Sequence, residues 1–151
     1  MSGRILIIED ELNLADVLNF VLTQEGYEVK CASDGNDGAA LMSGDYYDIV
    51  ICDIRLPGLN GFEILEQKNK LNLNCSFLMI TSYGSVEDAV KAIKNGADEY
   101  ITKPFLNDDL VLKVKKIMRY REMEKQNEQL RTEVSNKYSS FHGIIGKSYE
   151  M

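Results

Sequence analysis

Short apolar runs alternate with stretches whose apolar residues recur at helical spacing, and that alternation organises residues 4–106. The runs are Arg4–Ile8, Glu28–Cys31, Asp48–Cys52, Phe77–Ile80 and Glu99–Thr102. The first, third and fourth are apolar nearly throughout, the pattern of strands covered on both faces. Between them, Leu14, Val17, Leu18 and Val21 form an i, i+3, i+4, i+7 stripe, and Val86, Ala89, Val90 and Ile93 form another. Ser85-Val-Glu-Asp88 has the form of a capping box with Asp in place of Glu, and Gly96 stands where a helix-terminating glycine is expected. Residues 35–42 and 60–68 supply two more helices. Strand and helix alternating in this way predict an α/β fold, a doubly wound five-stranded parallel sheet with helices on both faces.

The pattern changes at Asp108. A helical stretch without Gly or Pro runs from there to about Asn136, too long for one packed helix of a small domain. Within it Tyr120, Met123, Asn127, Leu130 and Val134 are spaced 3, 4, 3 and 4 residues apart, a heptad seam. An Asn at a core position of such a seam favours a two-stranded, in-register pair at a cost in stability. The stretch is therefore expected to continue the last helix of the domain and to pair two copies of the chain.

Ligands of open α/β sheets bind beyond the carboxyl ends of the strands, so the chemistry is sought there. The first run ends in Glu9-Asp10, with Glu11 following; the third ends in Asp53; the fourth in Thr81-Ser82; the fifth in Lys103-Pro104. Each residue taken singly has an ordinary explanation as a cap, a strand residue or a solvated charge. Their occurrence at four strand ends is the signal. Two carboxylates 4 Å apart repel by about 4 kcal/mol at an effective dielectric near 20, so three at a partly buried edge need a raised pKa or a cation. The ligands are hard oxygens without Cys or His among them, which points to Mg²⁺ rather than zinc. Asp53 is then a candidate nucleophile for an aspartyl phosphate, Thr81 a donor to a phosphoryl oxygen, and Lys103 the compact counter-charge.

These motifs resemble the receiver domain of two-component response regulators across about residues 3–121. The matching segments are Ile7-Ile8-Glu9-Asp10-Glu11, Asp48-Ile-Val-Ile-Cys-Asp53 with Leu56-Pro57-Gly58-Leu-Asn60-Gly61, Met79-Ile80-Thr81-Ser82, and Ala97 through Lys103-Pro104-Phe105. The resemblance implies strand order 2-1-3-4-5 and makes Asp53 the acceptor of a phosphoryl group from a sensor histidine kinase. It implies Mg²⁺ held by Asp10 directly, by Glu9 through water, by Asp53 and by the backbone carbonyl of Arg55. Thr81, Ser82 and Lys103 would bind the phosphoryl group, Thr81 and Tyr100 would shift together on phosphorylation, and Lys103-Pro104 would be cis. Ser82 departs from the pattern, standing where such domains often carry Ala or Gly.

The tail, Phe141 to Met151, resembles the opening of the AAA+ ATPase domain of sigma-54-dependent transcriptional activators. No G-x-x-x-x-G-K-[ST] phosphate loop is present, so Gly146-Lys-Ser148 is not a nucleotide site. The expected organisation is a receiver at 1–121, a coiled-coil linker at 122–138 and the beginning of an ATPase domain at 139–151. The larger protein would act with sigma-54 RNA polymerase and DNA, and the linker would hold two copies as a homodimer.

Composition narrows the alternatives. With 151 residues, 44% of them hydrophobic and 27% charged, the chain has ordinary globular material and no need of staples. Asp and Glu number 24 against 17 Lys and Arg, a net charge of −7 that disfavours nucleic-acid binding by this chain itself. No apolar run reaches the ~20 residues of a membrane span, and Ile5–Ile8 is too short for a signal-peptide core. Cys31, Cys52 and Cys75 are odd in number and read as reduced core thiols of a cytoplasmic protein, with a metal or redox site second. The single histidine, His142, reads as a surface residue and excludes a His-based catalytic constellation. Two rivals share the fold. A flavodoxin-type FMN carrier needs a Ser/Thr/Gly-rich phosphate loop where Glu9-Asp10-Glu11 stands, and an aspartate-dependent phosphatase needs a second Asp where Arg55 stands.

Overall fold

A computed structural model describes the backbone of residues 3–82 and 85–142, and the side chains among them as far as Glu128. The elements run β1 (Arg4–Ile8), α1 (Leu12–Gln24), β2 (Glu28–Ala32), α2 (Gly35–Gly44), β3 (Ile49–Asp53), α3 (Gly61–Lys70), β4 (Ser76–Thr81), α4 (Val86–Lys94), β5 (Glu99–Thr102) and α5 (Asn107–His142). All strand pairs are parallel and the sheet order is β2-β1-β3-β4-β5. The chain divides into two units, residues 1–118 and 119–151.

Strand alternation sorts the core of the first unit into two layers. Ile5, Ile7, Ile49, Ile51, Leu78, Ile80 and Ile101 point to one face, where Leu18 and Leu22 of α1 and Leu110, Val114 and Ile117 of α5 cover them. Leu6, Ile8, Val50, Cys52, Phe77 and Met79 point to the other, against Met42 of α2, Ile64 and Leu65 of α3 and Ala92 of α4. The central strands β1, β3 and β4 are buried on both faces, in keeping with their nearly continuous apolar composition. Asn60 and Glu63 cap α3 reciprocally, each side chain accepting the other residue's backbone N–H.

Four expectations need correction. On α1 the buried face is Ala15, Leu18 and Leu22, while Val17 is exposed, because alanine allows the closest approach to the sheet and the apolar arc is wider than the contact. On α4 only Ala89 of the expected stripe faces the core, together with Ala92, while the stripe's Val86, Val90 and Ile93 are exposed. Ser85 makes no side-chain cap of α4; its hydroxyl donates instead to Asp88 Oδ2 at 2.9 Å. Cys31 is exposed, since β2 is an edge strand, whereas Cys52 and Cys75 are buried as expected. Gly96 follows α4 with φ +105°, the left-handed conformation that a terminating glycine supplies.

The turn entering α2 meets the loop that follows β3. Gly35 N–H donates to the Pro57 carbonyl at 2.9 Å, and a Cβ at Gly35 would run into the main chain of Leu59. Gly35→Ala is expected to lower stability by about 1–3 kcal/mol, the usual range for overpacking where backbone must move. Gly44→Ala, at a site with open space around it, should be neutral or slightly stabilising. Urea midpoints of the two variants check this; equal midpoints would count against the close approach.

In the second unit the helix continues through His142, beyond the expected end near Asn136, as the lack of Gly or Pro before Gly143 allows. Tyr120, Met123 and Asn127 are exposed. The side chains of Leu130 and Val134 lie outside the described residues, as does the structure of residues 143–151.

Candidate functional site

The same period of two that buries the strands assembles the site. Ile5 and Ile7, Ile49 and Ile51, and Ile101 share the α1/α5 face, and one further step along each strand reaches Glu9, Asp53 and Lys103. Backbone bonds carry the ladder to these positions: Glu9 N–H to Ala32 O at 3.0 Å, Ile54 N–H to Ile80 O at 3.1 Å, and Lys103 N–H to Thr81 O at 2.8 Å. The Lys103-Pro104 bond is cis.

Glu9 is 0% exposed and Asp53 6%, while Asp10 is open to solvent. One carboxylate oxygen from each of the three lies within 4.8 Å of the others. Lys103 Nζ donates to Asp53 Oδ2 at 2.8 Å and reaches Glu9 Oε2 and Glu11 Oε1 at 3.4 Å each. Arg55 N–H donates to Asp53 Oδ1 at 3.0 Å, and Glu11 N–H to Glu9 Oε2 at 3.0 Å. Glu9 Oε1 is buried without a hydrogen-bond partner. Desolvation pushes the Glu9 carboxyl up to about 7; the Asp53 charge adds to the rise, while the Glu11 N–H and Lys103 oppose it. For Lys103, burial works to lower the pKa, but the hydrogen bond and charge of Asp53, with help from Glu9 and Glu11, outweigh it and raise the value. An orphaned buried oxygen amid hard-oxygen ligands suits a divalent cation or a water bound to one.

Thr81 is 1% exposed, and its hydroxyl shares a 3.1 Å hydrogen bond with that of Thr102, its neighbour in the parallel register. Tyr100 stands outward at 37% exposure. Ser82 Oγ accepts from Arg55 Nε at 3.2 Å. The expected acidic residues, Asp53 and Lys103 thus converge on one point. Three contacts were not foreseen: the Glu11 bridge to Lys103, the Thr81–Thr102 pair and the Arg55–Ser82 bond. A third consecutive carboxylate and facing threonines in adjacent strands were the available signals for the first two.

Residues 5–115 match the family model of the response regulator receiver domain. The chain belongs to that family. Among solved structures, the CheY-like receiver domain protein from Methanospirillum hungatei JF-1 is 35% identical over 82% of this chain and 99% of its own, with a TM-score of 0.77. The signal receiver domain of a putative Luxo repressor protein from Vibrio parahaemolyticus is 26% identical over 85% and 98%, with a TM-score of 0.80. NtrX from Brucella abortus, solved in complex with ATP, is 30% identical over 86% of this chain, with a TM-score of 0.80, but this chain spans only 30% of NtrX. The receiver is a signalling domain of a two-component system, and receivers interact with sensor histidine kinases and bind Mg²⁺ at an acidic pocket. No helix among the described residues is long and apolar enough to cross a membrane.

Proposed function

We propose that Asp53 is the phosphoacceptor of this receiver and that Mg²⁺ binds beside it. The carrying observation is a nearly buried carboxylate held at 2.8 Å from Lys103 within an acidic cluster that leaves one Glu9 oxygen orphaned. Asp10, Glu9, Asp53 and the backbone carbonyl of Arg55 would hold the cation, which neutralises charge on the phosphoryl oxygens when bound. An Asp53 carboxylate oxygen attacks phosphorus as the bond to the kinase histidine nitrogen breaks, and that nitrogen keeps the electron pair. Lys103, Thr81 and Ser82 then receive the phosphoryl oxygens. Acetyl phosphate with Mg²⁺ should add one phosphate, labile at alkaline pH, by intact mass. A chain that gains none under these conditions would overturn the reading.

Thr81 and Tyr100 are the proposed switch. A phosphoryl oxygen competes for the Thr81 hydroxyl now paired with Thr102, and inward movement of Thr81 opens space for Tyr100. Changing a 1:99 population to 99:1 takes about 5.5 kcal/mol, within reach of a few charge-assisted hydrogen bonds at about 1.5–3 kcal/mol each. The exposed Val86, Val90 and Ile93 of α4 lie on the face this movement would alter, which supports its use as an output surface.

The proposed architecture is a receiver at 1–121, a linker at 122–138 and the start of an AAA+ ATPase domain at 139–151, in a cytoplasmic sigma-54-dependent activator. A longer relative solved with ATP supports that reading. The linker would pair two chains through Tyr120, Met123, Asn127, Leu130 and Val134, and the exposure of the first three in a single chain is consistent with this. Sedimentation should show a dimer at micromolar concentration, with Asn127→Ile stabilising the helices while loosening the choice of oligomer. A monomer at hundreds of micromolar, with and without phosphate, would rule the pairing out.

A further inference from the structure

Two threonines stand side by side at the carboxyl edge of the sheet. Thr81 ends β4 and Thr102 ends β5, and the parallel register pairs them. Their hydroxyls share a hydrogen bond of 3.1 Å, while the Ile101 carbonyl lies 3.5 Å from the Thr81 hydroxyl. The longer distance is beyond the ordinary O–H···O range, so Thr102 is the effective partner. β4 runs between β3 and β5, and β3 ends in Asp53. The resting Thr81 hydroxyl is therefore turned to the strand on the far side from Asp53. Thr81 is 1% exposed, whereas Thr102 is half-buried. If the bond opens, Thr102 can turn to solvent, but the buried Thr81 hydroxyl needs a new partner, because an unmade buried hydrogen bond costs more than a made one contributes.

We propose that the Thr102 hydroxyl is a latch on Thr81, a positioning residue that holds the Thr81 hydroxyl in the resting state and so sets how readily the site accepts a phosphoryl group. The proposal rests on Asp53 being the phosphoacceptor and on Thr81 donating to the phosphoryl group. A threonine hydroxyl has a single O–H. To serve a phosphoryl oxygen Thr81 must leave Thr102, so the two partners compete for one side chain. The apparent affinity of the site falls with the fraction of molecules in which Thr81 is free to meet the incoming group. Deleting the Thr102 hydroxyl raises the energy of the resting state, where Thr81 loses its partner. It leaves the phosphoryl-bound state untouched, because there Thr81 is bonded elsewhere. The deletion should thus tighten binding, the opposite of what damage to β5 would do.

The test titrates beryllofluoride into the whole chain with saturating Mg²⁺, following the backbone amide resonances at positions 81 and 100. Its beryllium accepts an electron pair from a carboxylate oxygen and so stands in for a phosphoryl group. Thr102→Val keeps the β-branched shape and loses the hydroxyl; Thr102→Ser keeps the hydroxyl and loses the methyl. Thr102→Val should bind about three- to tenfold more tightly than wild type, the range set by the net worth of one hydrogen bond. Thr102→Ser should stay within about twofold of wild type, and Thr102→Val added to Thr81→Ala should change that variant's affinity by less than about twofold, since the released partner is gone. Unchanged or weaker binding by Thr102→Val, equal tightening by Thr102→Ser, or tightening that persists without Thr81 would each overturn the latch and leave the Asp53 reading standing. Thr81→Ala binding as tightly as wild type would remove Thr81 from the phosphoryl group and the latch with it. A wild type that binds no beryllofluoride would remove the Asp53 reading as well.

Discussion

Asp53→Asn is expected to abolish covalent phosphorylation, dropping incorporated phosphate at least about a hundredfold, because the amide oxygen is no nucleophile at neutral pH. The substitution is close to isosteric. The amide oxygen still accepts the Arg55 N–H that now bonds Asp53 Oδ1, so the β3–α3 loop should keep its place. What changes is charge. Lys103 loses its 2.8 Å partner and is left with Glu9 and Glu11, each at 3.4 Å. Glu9 loses the neighbouring charge that adds to its raised pKa, and its carboxyl should titrate lower than in wild type. Intact-mass measurement of acetyl phosphate uptake, with a carbon-13 titration of the Glu9 carboxyl, reads both effects. Uptake equal to wild type would move the phosphoacceptor elsewhere.

The legible parts of this fold are those a period of two or 3.6 determines locally. Three of the five strands, β1, β3 and β4, were readable from nearly continuous apolar runs, and the site was readable because polar residues replace the apolar ones where those strands end. Glu9, Asp53 and Lys103 converge because each continues the alternation of its own strand on the α1/α5 face. Other features were set by packing distance and sheet position. The α4 stripe had the right period but only its Ala89 faces the core, since Ala89 and Ala92 permit an approach to the sheet that Val86, Val90 and Ile93 would prevent. Cys31 looked like a core residue because its strand is β-forming, yet β2 is the edge of the sheet. The Arg55–Ser82 bond joins residues 27 positions apart on different loops, and no local pattern encodes such a pair.

Glu9 makes stability depend on pH in a direction opposite to that of an ordinary paired carboxylate. Its pKa rises from 4.5 to about 7, chiefly because the charged form is desolvated. The folded state therefore holds this proton more tightly than the unfolded chain does. The stability Glu9 contributes is complete below about pH 4.5 and is lost as pH rises through about 7. At about 1.36 kcal/mol per pKa unit, the loss amounts to about 3 kcal/mol by pH 8. In EDTA, wild type should thus lose about that much unfolding free energy between pH 5 and 8 relative to Glu9→Gln, which carries no such titration. Added Mg²⁺ should reverse the trend: a cation favours the charged carboxylate, so its stabilisation should be small at pH 5.5 and large at pH 8. Urea unfolding of both proteins at several pH values, with EDTA and with Mg²⁺, measures each part. Parallel pH profiles for wild type and Glu9→Gln in EDTA would mean that Glu9 stays ionised in the fold, and that its buried, unpartnered oxygen is satisfied some other way.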